Sequence, residues 1–119
     1  MAALELLRQS PELTALLCYN DLVAVGAVHA SKELDRPVPQ SLSIIGFDDI
    51  PFASLISPAL TTVRVPKYEL GQRAMKLVFQ MMSQVMGQDA YPQEPIVLET
   101  QLVIRDSTAV EFTAGPREW

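Results

Sequence analysis

The sequence predicts an α/β fold built on a parallel sheet. Two short apolar runs bounded by turn residues, Thr14–Tyr19 and Leu42–Phe47, read as buried strands. Helix-like stretches separate them, so the order is helix, strand, helix, strand, crossover, helix, strand. A third observation sets the scale. Only three or four strands are available, and a parallel sheet needs cover on both faces. The chain therefore reads as part of a larger fold, with a small self-associating domain as the alternative.

Each element has its own signal. Ala2, Leu4, Leu6 and Leu7 form the end of an amphipathic helix, which Pro11 stops. After the first strand, Asn20 and Asp21 open a helix that runs to about Leu34, and Asn20 suits its N-cap. Leu22, Val23, Val25, Ala27, Val28, Ala30 and Leu34 spread almost all round this helix, so it needs cover on more than one side. Pro37 and Pro39 make a tight connector. Asp48 and Asp49 follow the second strand directly, and a short helical or irregular stretch then ends at Pro58. Thr61–Val65 alternates and is β-rich. Pro66 fits the first position of a helix over Lys67–Met86. That helix has one apolar stripe through Leu70, Ala74, Leu77, Val78, Met81 and Val85, and another through Met75, Phe79, Met82 and Met86. Together they are wider than one core-facing stripe needs. Gly87 ends the helix, Pro95–Ile104 reads as a final strand, and the tail from Thr108 as poorly ordered.

Composition excludes several functions. The 119 residues hold 9 basic and 14 acidic side chains, for a net charge of −5. A nucleic-acid-binding surface needs a clustered basic face, which this balance argues against. Residues 1–60 carry three basic and seven acidic side chains, against six and seven in the rest, so an acidic site is expected in the first half. Cys18 is the single cysteine and His29 the single histidine. An intrachain disulfide is therefore impossible, and a metal site or a His-activated nucleophile is not expected. No Gly-x-Ser-x-Gly elbow or Gly-rich phosphate loop occurs. No enzyme, metal or cofactor is predicted. No run approaches the roughly 18 apolar residues that span a bilayer. The first residues show no basic leader or cleavage site, so a cytoplasmic protein without a membrane partner is expected.

In open α/β sheets, ligands bind beyond the carboxyl ends of the strands. Asn20 and Asp21 follow the first strand, and Asp48 and Asp49 the second. If the strands are parallel neighbours, both pairs face one crevice. An amide both donates and accepts while a carboxylate only accepts, a combination suited to a polyhydroxyl ligand. Capping competes for Asn20, Asp48 and Asp49. The expectation is that Asp48 meets the ligand while Asp49 and Asp21 support the loop.

The motifs then resemble a known family. Asn20-Asp21 with Ala24 and Gly26, Val38-Pro39, Ile45-Gly46-Phe47-Asp48-Asp49, Pro58-Ala59-Leu60-Thr61-Thr62-Val63, Gly71, and Leu102-Val103-Ile104-Arg105-Asp106-Ser107-Thr108 recur in order and spacing. They resemble the effector-binding domain of LacI/GalR-family bacterial transcription regulators. The resemblance implies the C-terminal subdomain of a periplasmic-binding-protein type I-like fold, partial here, with flavodoxin-like layering. It implies a partial effector-binding domain over residues 1–109. Residues 1–62 would belong to the C-terminal lobe, 63–92 to a crossover helix packing on a first lobe outside this chain, 93–108 to a returning strand and 110–119 to a tail. It places Asn20 and Asp48 at effector-binding positions and Val25, Leu55 and Ile56 where subunits pair. The implied partners are a sugar or nucleoside effector, a second copy in a homodimer, and operator DNA held only through an N-terminal domain that this chain lacks. Pro51 and Phe52 depart from the more polar loops of some members. The rival reading is a fragment of a periplasmic sugar- or solute-binding protein. A phosphoacceptor receiver domain is disfavoured, since it needs a further Asp and a Lys on other strands.

Overall fold

The computed structural model describes residues 2–84 and 95–110. Its elements in chain order are α1 (Ala2–Gln9), β1 (Ala15–Leu17), α2 (Asp21–Glu33), β2 (Ser43–Asp48), a 3-10 turn (Pro51–Ser54), β3 (Thr61–Arg64), α3 (Lys67–Gln84) and β4 (Gln101–Val103). The chain divides into two compact units, Met1–Arg64 with Leu102–Trp119, and Val65–Gln101.

In the first unit, β1 pairs with β2 and β2 with β3, both in parallel, and β4 stands next in the sheet order. Ile44 and Gly46 of β2 are buried, while Ser43 and Ile45 are half-buried and Phe47 is exposed. The period-2 alternation of a strand therefore gives β2 one closed face and one open face. The closed face receives α2 through Ala24, Ala27 and Val28, and α1 adds Leu7 to the same core. Leu42, Ile44, Ala53 and Leu60 complete it. On the opposite face Leu17 is 77% exposed, and no helix of this unit covers it among the described residues. Parallel sheets normally bury both faces, so the layering is half of what such a sheet needs.

The ladder between β2 and β3 starts at Ile45 and Thr61. Below that point the segment after β4 takes its place. The Ile44 amide donates to the Ser107 carbonyl at 2.8 Å, and the Ser107 amide donates to Ala59 O at 2.9 Å. The Ser107 hydroxyl donates to Ile44 O at 2.6 Å and accepts from the Thr61 amide at 2.8 Å. One fully buried serine thus satisfies main-chain groups at the starts of two strands. Elsewhere the Arg36 guanidinium donates to Leu13 O and Ser41 O, joining the approach to β1 to the approach to β2.

Several elements are shorter than the sequence suggests. β1 is three residues long rather than six, because its ladder with β2 ends at the bonds from the Ser43 amide to Thr14 O and from the Cys18 amide to Ile45 O. β4 covers Gln101–Val103 only, and residues 95–100 adopt no regular structure. Alternating apolarity there follows no strand partner. Pro66 precedes α3 and accepts the Leu70 amide at 2.8 Å, so it stands at the cap and not inside the first turn. Thr108 and Ala109 are tied down, by Thr61 Oγ1 and Ser43 Oγ respectively, against the expected loose tail from Thr108. Val85, Met86, Gly87 and residues 111–119 lie outside the described residues. Taken by itself, α3 exposes most of both its stripes, with Phe79 at 63% and Met82 at 64%.

Ser107→Ala leaves the Ile44 carbonyl and the Thr61 amide without partners. Each buried unpaired group costs about 1–3 kcal/mol, so urea unfolding followed by circular dichroism is expected to show a loss of about 2–4 kcal/mol.

Candidate functional site

The parallel register brings the carboxyl ends of three strands to one rim. Leu17 pairs with Ile45, and Asp48 with Arg64. Asn20 and Asp21 stand just beyond β1, Asp48 closes β2 and Asp49 follows it. The four polar residues singled out by sequence therefore share this rim.

Asn20 has extended backbone, with φ −154° and ψ 176°, and its Oδ1 accepts from the Val23 amide at 2.9 Å. It caps α2 and occupies one of the four amides a helix start leaves open. The cap of this half-buried residue uses the oxygen and leaves the amide nitrogen for another acceptor. Asp21, the first residue of α2, is fully buried. Its Oδ2 accepts from the Ile50 amide at 2.8 Å and its Oδ1 from the Thr62 hydroxyl at 2.5 Å. Gly46 of β2 lies under it. A Cβ there would overlap Asp21 Oδ1 and come within 2.9 Å of Leu60 Cδ2. The glycine is a packing requirement of the aspartate.

Asp48 and Asp49 are half-buried and take φ values of 110° and 50°. Two consecutive side-chain-bearing residues at positive φ mark a sharp, costly turn. Four contacts hold it. The Ile50 amide is fixed by Asp21, and the Asp49 amide donates to Thr62 Oγ1 at 3.4 Å. The Asp49 carboxylate accepts from Arg64 Nε at 2.6 Å and from Arg105 Nη2 at 2.7 Å. Burial pushes the Asp49 carboxyl up, but the hydrogen bonds and charges of Arg105 and Arg64 outweigh it and hold the group below the ordinary aspartate value. Arg105 also donates from Nη1 to Leu60 O at 2.8 Å. Its side chain is 18% exposed against 51% for Arg64, so the Arg105 pair is the less screened of the two.

Of the remaining sequence candidates, Val25 is half-buried on α2, Leu55 is 75% exposed, and Ile56 packs against the core. Cys18 is buried beside the rim, and burial pushes its thiol up, which makes it a poor nucleophile. Among the described residues no group of three His, Cys, Asp or Glu could hold a metal ion, and no helix is long and apolar enough to cross a membrane. A surface hollow lined by Thr14, Ser43, Ile45 and Thr108 lies at the other end of the strands. Sequence reasoning gave no role to Thr62, Arg64 or Arg105. Register is the signal that finds the first two, because it seats Thr62 beside Gly46 and Arg64 beside Asp48; Arg105 is found through its contact with Asp49.

Comparison with known proteins gives the family. The family model described as periplasmic binding protein-like domain matches residues 1–108. The HTH-type transcriptional regulator MalR of Streptomyces coelicolor is 38% identical over 98 residues, 82% of this chain and 27% of that protein. The HTH-type transcriptional repressor CytR of Escherichia coli is 40% identical over 96 residues, 80% of this chain and 27% of that protein. Among solved structures, a LacI family transcriptional regulator from an Arthrobacter species in complex with lactose aligns with a TM-score of 0.75 at 34% identity. That alignment covers 91% of this chain and 39% of the other. The chain thus spans about a quarter of the length of these curated relatives.

Two outcomes follow from the site's packing. Gly46→Ala is expected to destabilise by about 1–3 kcal/mol, the usual range for overpacking, in denaturant unfolding. For Asp49, the folded value lies below the unfolded one. Its stabilisation is therefore full above the ordinary aspartate value near ~4 and fades as pH falls through the folded value. The stability gap between wild type and Asp49→Asn, measured by thermal melts, is expected to stay constant from about pH 5 to 8 and to shrink below about pH 4.

Proposed function

This chain belongs to the periplasmic-binding-protein-like domains of LacI/GalR-type transcription regulators, and we propose from that premise that it is the effector-sensing and dimerisation segment of a repressor. The observation that carries the reading is the shared rim, where Asn20 and Asp48 stand at the ends of adjacent parallel strands. The ligand is a sugar or nucleoside. Its vicinal hydroxyls would donate to Asp48 and accept from the Asn20 amide nitrogen. The lactose held by the Arthrobacter relative supports that ligand class.

On this reading the rim supplies part of a pocket, and residues outside this chain supply the rest. Residues 1–62 form the C-terminal lobe portion, the α3 region over 63–92 packs on a first lobe, and 93–108 return. Val25, Leu55 and Ile56 pair with a second copy. The exposed apolar surface of α3, with Leu70, Met75 and Phe79 each more than half exposed, supports a covering partner. Ligand binds one closure state more tightly and shifts the population, and DNA-binding heads elsewhere in the full chain read that shift. The protein acts in the cytoplasm and carries out no catalysis. Its named relatives are transcriptional regulators, which favours repression over solute binding for transport.

Isothermal titration of the full-length protein with lactose, ribose, maltose and cytidine tests the assignment. Asp48→Ala is expected to weaken the binding panel member by about tenfold or more, the worth of one hydrogen bond to a charged group. Asn20→Ala is expected to weaken it too, with operator binding kept. An unchanged dissociation constant for Asp48→Ala would overturn the site.

A further inference from the structure

The chain leaves the first unit at Arg64, the last residue before Val65, and comes back at Leu102. The side chains that meet the Asp49 carboxylate belong to these two places. Arg64 is the exit residue itself. Arg105 follows the return by three positions. The carboxylate divides its oxygens between them, Oδ2 to Arg64 Nε at 2.6 Å and Oδ1 to Arg105 Nη2 at 2.7 Å.

The Asp49 carboxylate is not the sole hold on its loop. Asp21 already fixes the Ile50 amide, and Thr62 already meets the Asp49 amide. Those contacts set the turn that carries Asp48. What the Asp49 side chain adds is directed away from the turn, at the two connections. Arg105 is anchored besides, through Nη1 on Leu60 O and through its own amide on Thr61 Oγ1 at 2.9 Å. Pulling on either connection therefore loads the same carboxylate.

We propose that Asp49 is a positioning residue that ties the end of β3 to the segment after β4, so that the neighbour of the ligand-facing Asp48 sets how firmly residues 62–65 and 102–106 are held together. The inference rests on the reading of Asp48 as a ligand contact. Ligand on Asp48 and load on these two segments then act on adjacent residues of one turn, which is the physical content of coupling between a pocket and its supporting segments.

Hydrogen–deuterium exchange of the full chain reads both connections without any ligand. Asp49→Asn is expected to speed amide exchange over residues 62–65 and over 102–106 together, by about fivefold or more, while α2 keeps its wild-type protection. In a double-variant cycle, Arg105→Gln is expected to speed exchange over 62–65 when Asp49 is present and to add nothing once Asp49 is Asn. Arg105→Lys, which keeps the charge and loses the fork, is the milder variant and is expected to loosen both segments in the same proportion. Response of one connection alone, additive effects of the two substitutions, or equal loosening of α2 would each overturn the clamp. Since no ligand enters the experiment, its failure leaves the ligand assignment standing, and a panel without a binder leaves the clamp standing.

Discussion

The buried Asp21 carboxyl is the constraint around which the first unit is arranged. Taking a carboxyl out of water is costly unless its oxygens find donors. Here both do, on two different segments, the Ile50 amide and the Thr62 hydroxyl. The residue also opens α2, where the exposed amides of a helix start favour an acidic group. A single side chain therefore joins a helix, the loop after β2 and β3. It dictates Gly46, because nothing larger fits beneath it, and Thr62, because a methyl in place of the hydroxyl would leave Oδ1 unpaired. The turn at positive φ that carries Asp48 exists because these contacts outweigh its strain.

The two ends of the short sheet are closed by different chemistry. At the rim, charge does the work, with Asp49 between two arginines. At the base, Ser107 and Thr61 do it with neutral hydroxyls and main-chain groups. The segment from Arg105 to Ser107 takes part in both. It runs beside the approach to β3, meeting the Leu60 carbonyl through Arg105 and the Ala59 carbonyl through Ser107, so three residues outside any strand act as an irregular extra strand.

The α/β class, the order of elements and the rim pairing of Asn20-Asp21 with Asp48-Asp49 could be read in the sequence, because apolar runs and caps are local signals. The cap at Asn20 is of this kind. The role of Thr62 and Arg105 was not readable. Each depends on a partner 41 to 56 residues away, and no local pattern encodes register between strands joined by crossovers. The extent of β4 failed for a related reason. Alternating apolarity from Pro95 to Ile104 looks like a strand, but a strand exists only where a neighbour accepts its ladder, and β3 offers just four residues. The excess apolarity of α3 was visible as width of its stripes, and it survives as exposed surface.

The serine stitch has a consequence for synthesis. Its bonds to Ile44 and Thr61 span 63 and 46 residues, so the strands that begin the unit wait for residues near its end. While the ribosome is still adding α3, β2 and β3 have unpaired groups at their starts and lack the segment that seals them. Closing so long a loop is slow and comes late. A chain released before Ser107 carries nearly every core residue yet has the seam of its sheet open, the kind of species that quality-control proteases remove. Arrival of Ser107, rather than burial of apolar residues, is what seals the sheet of this unit.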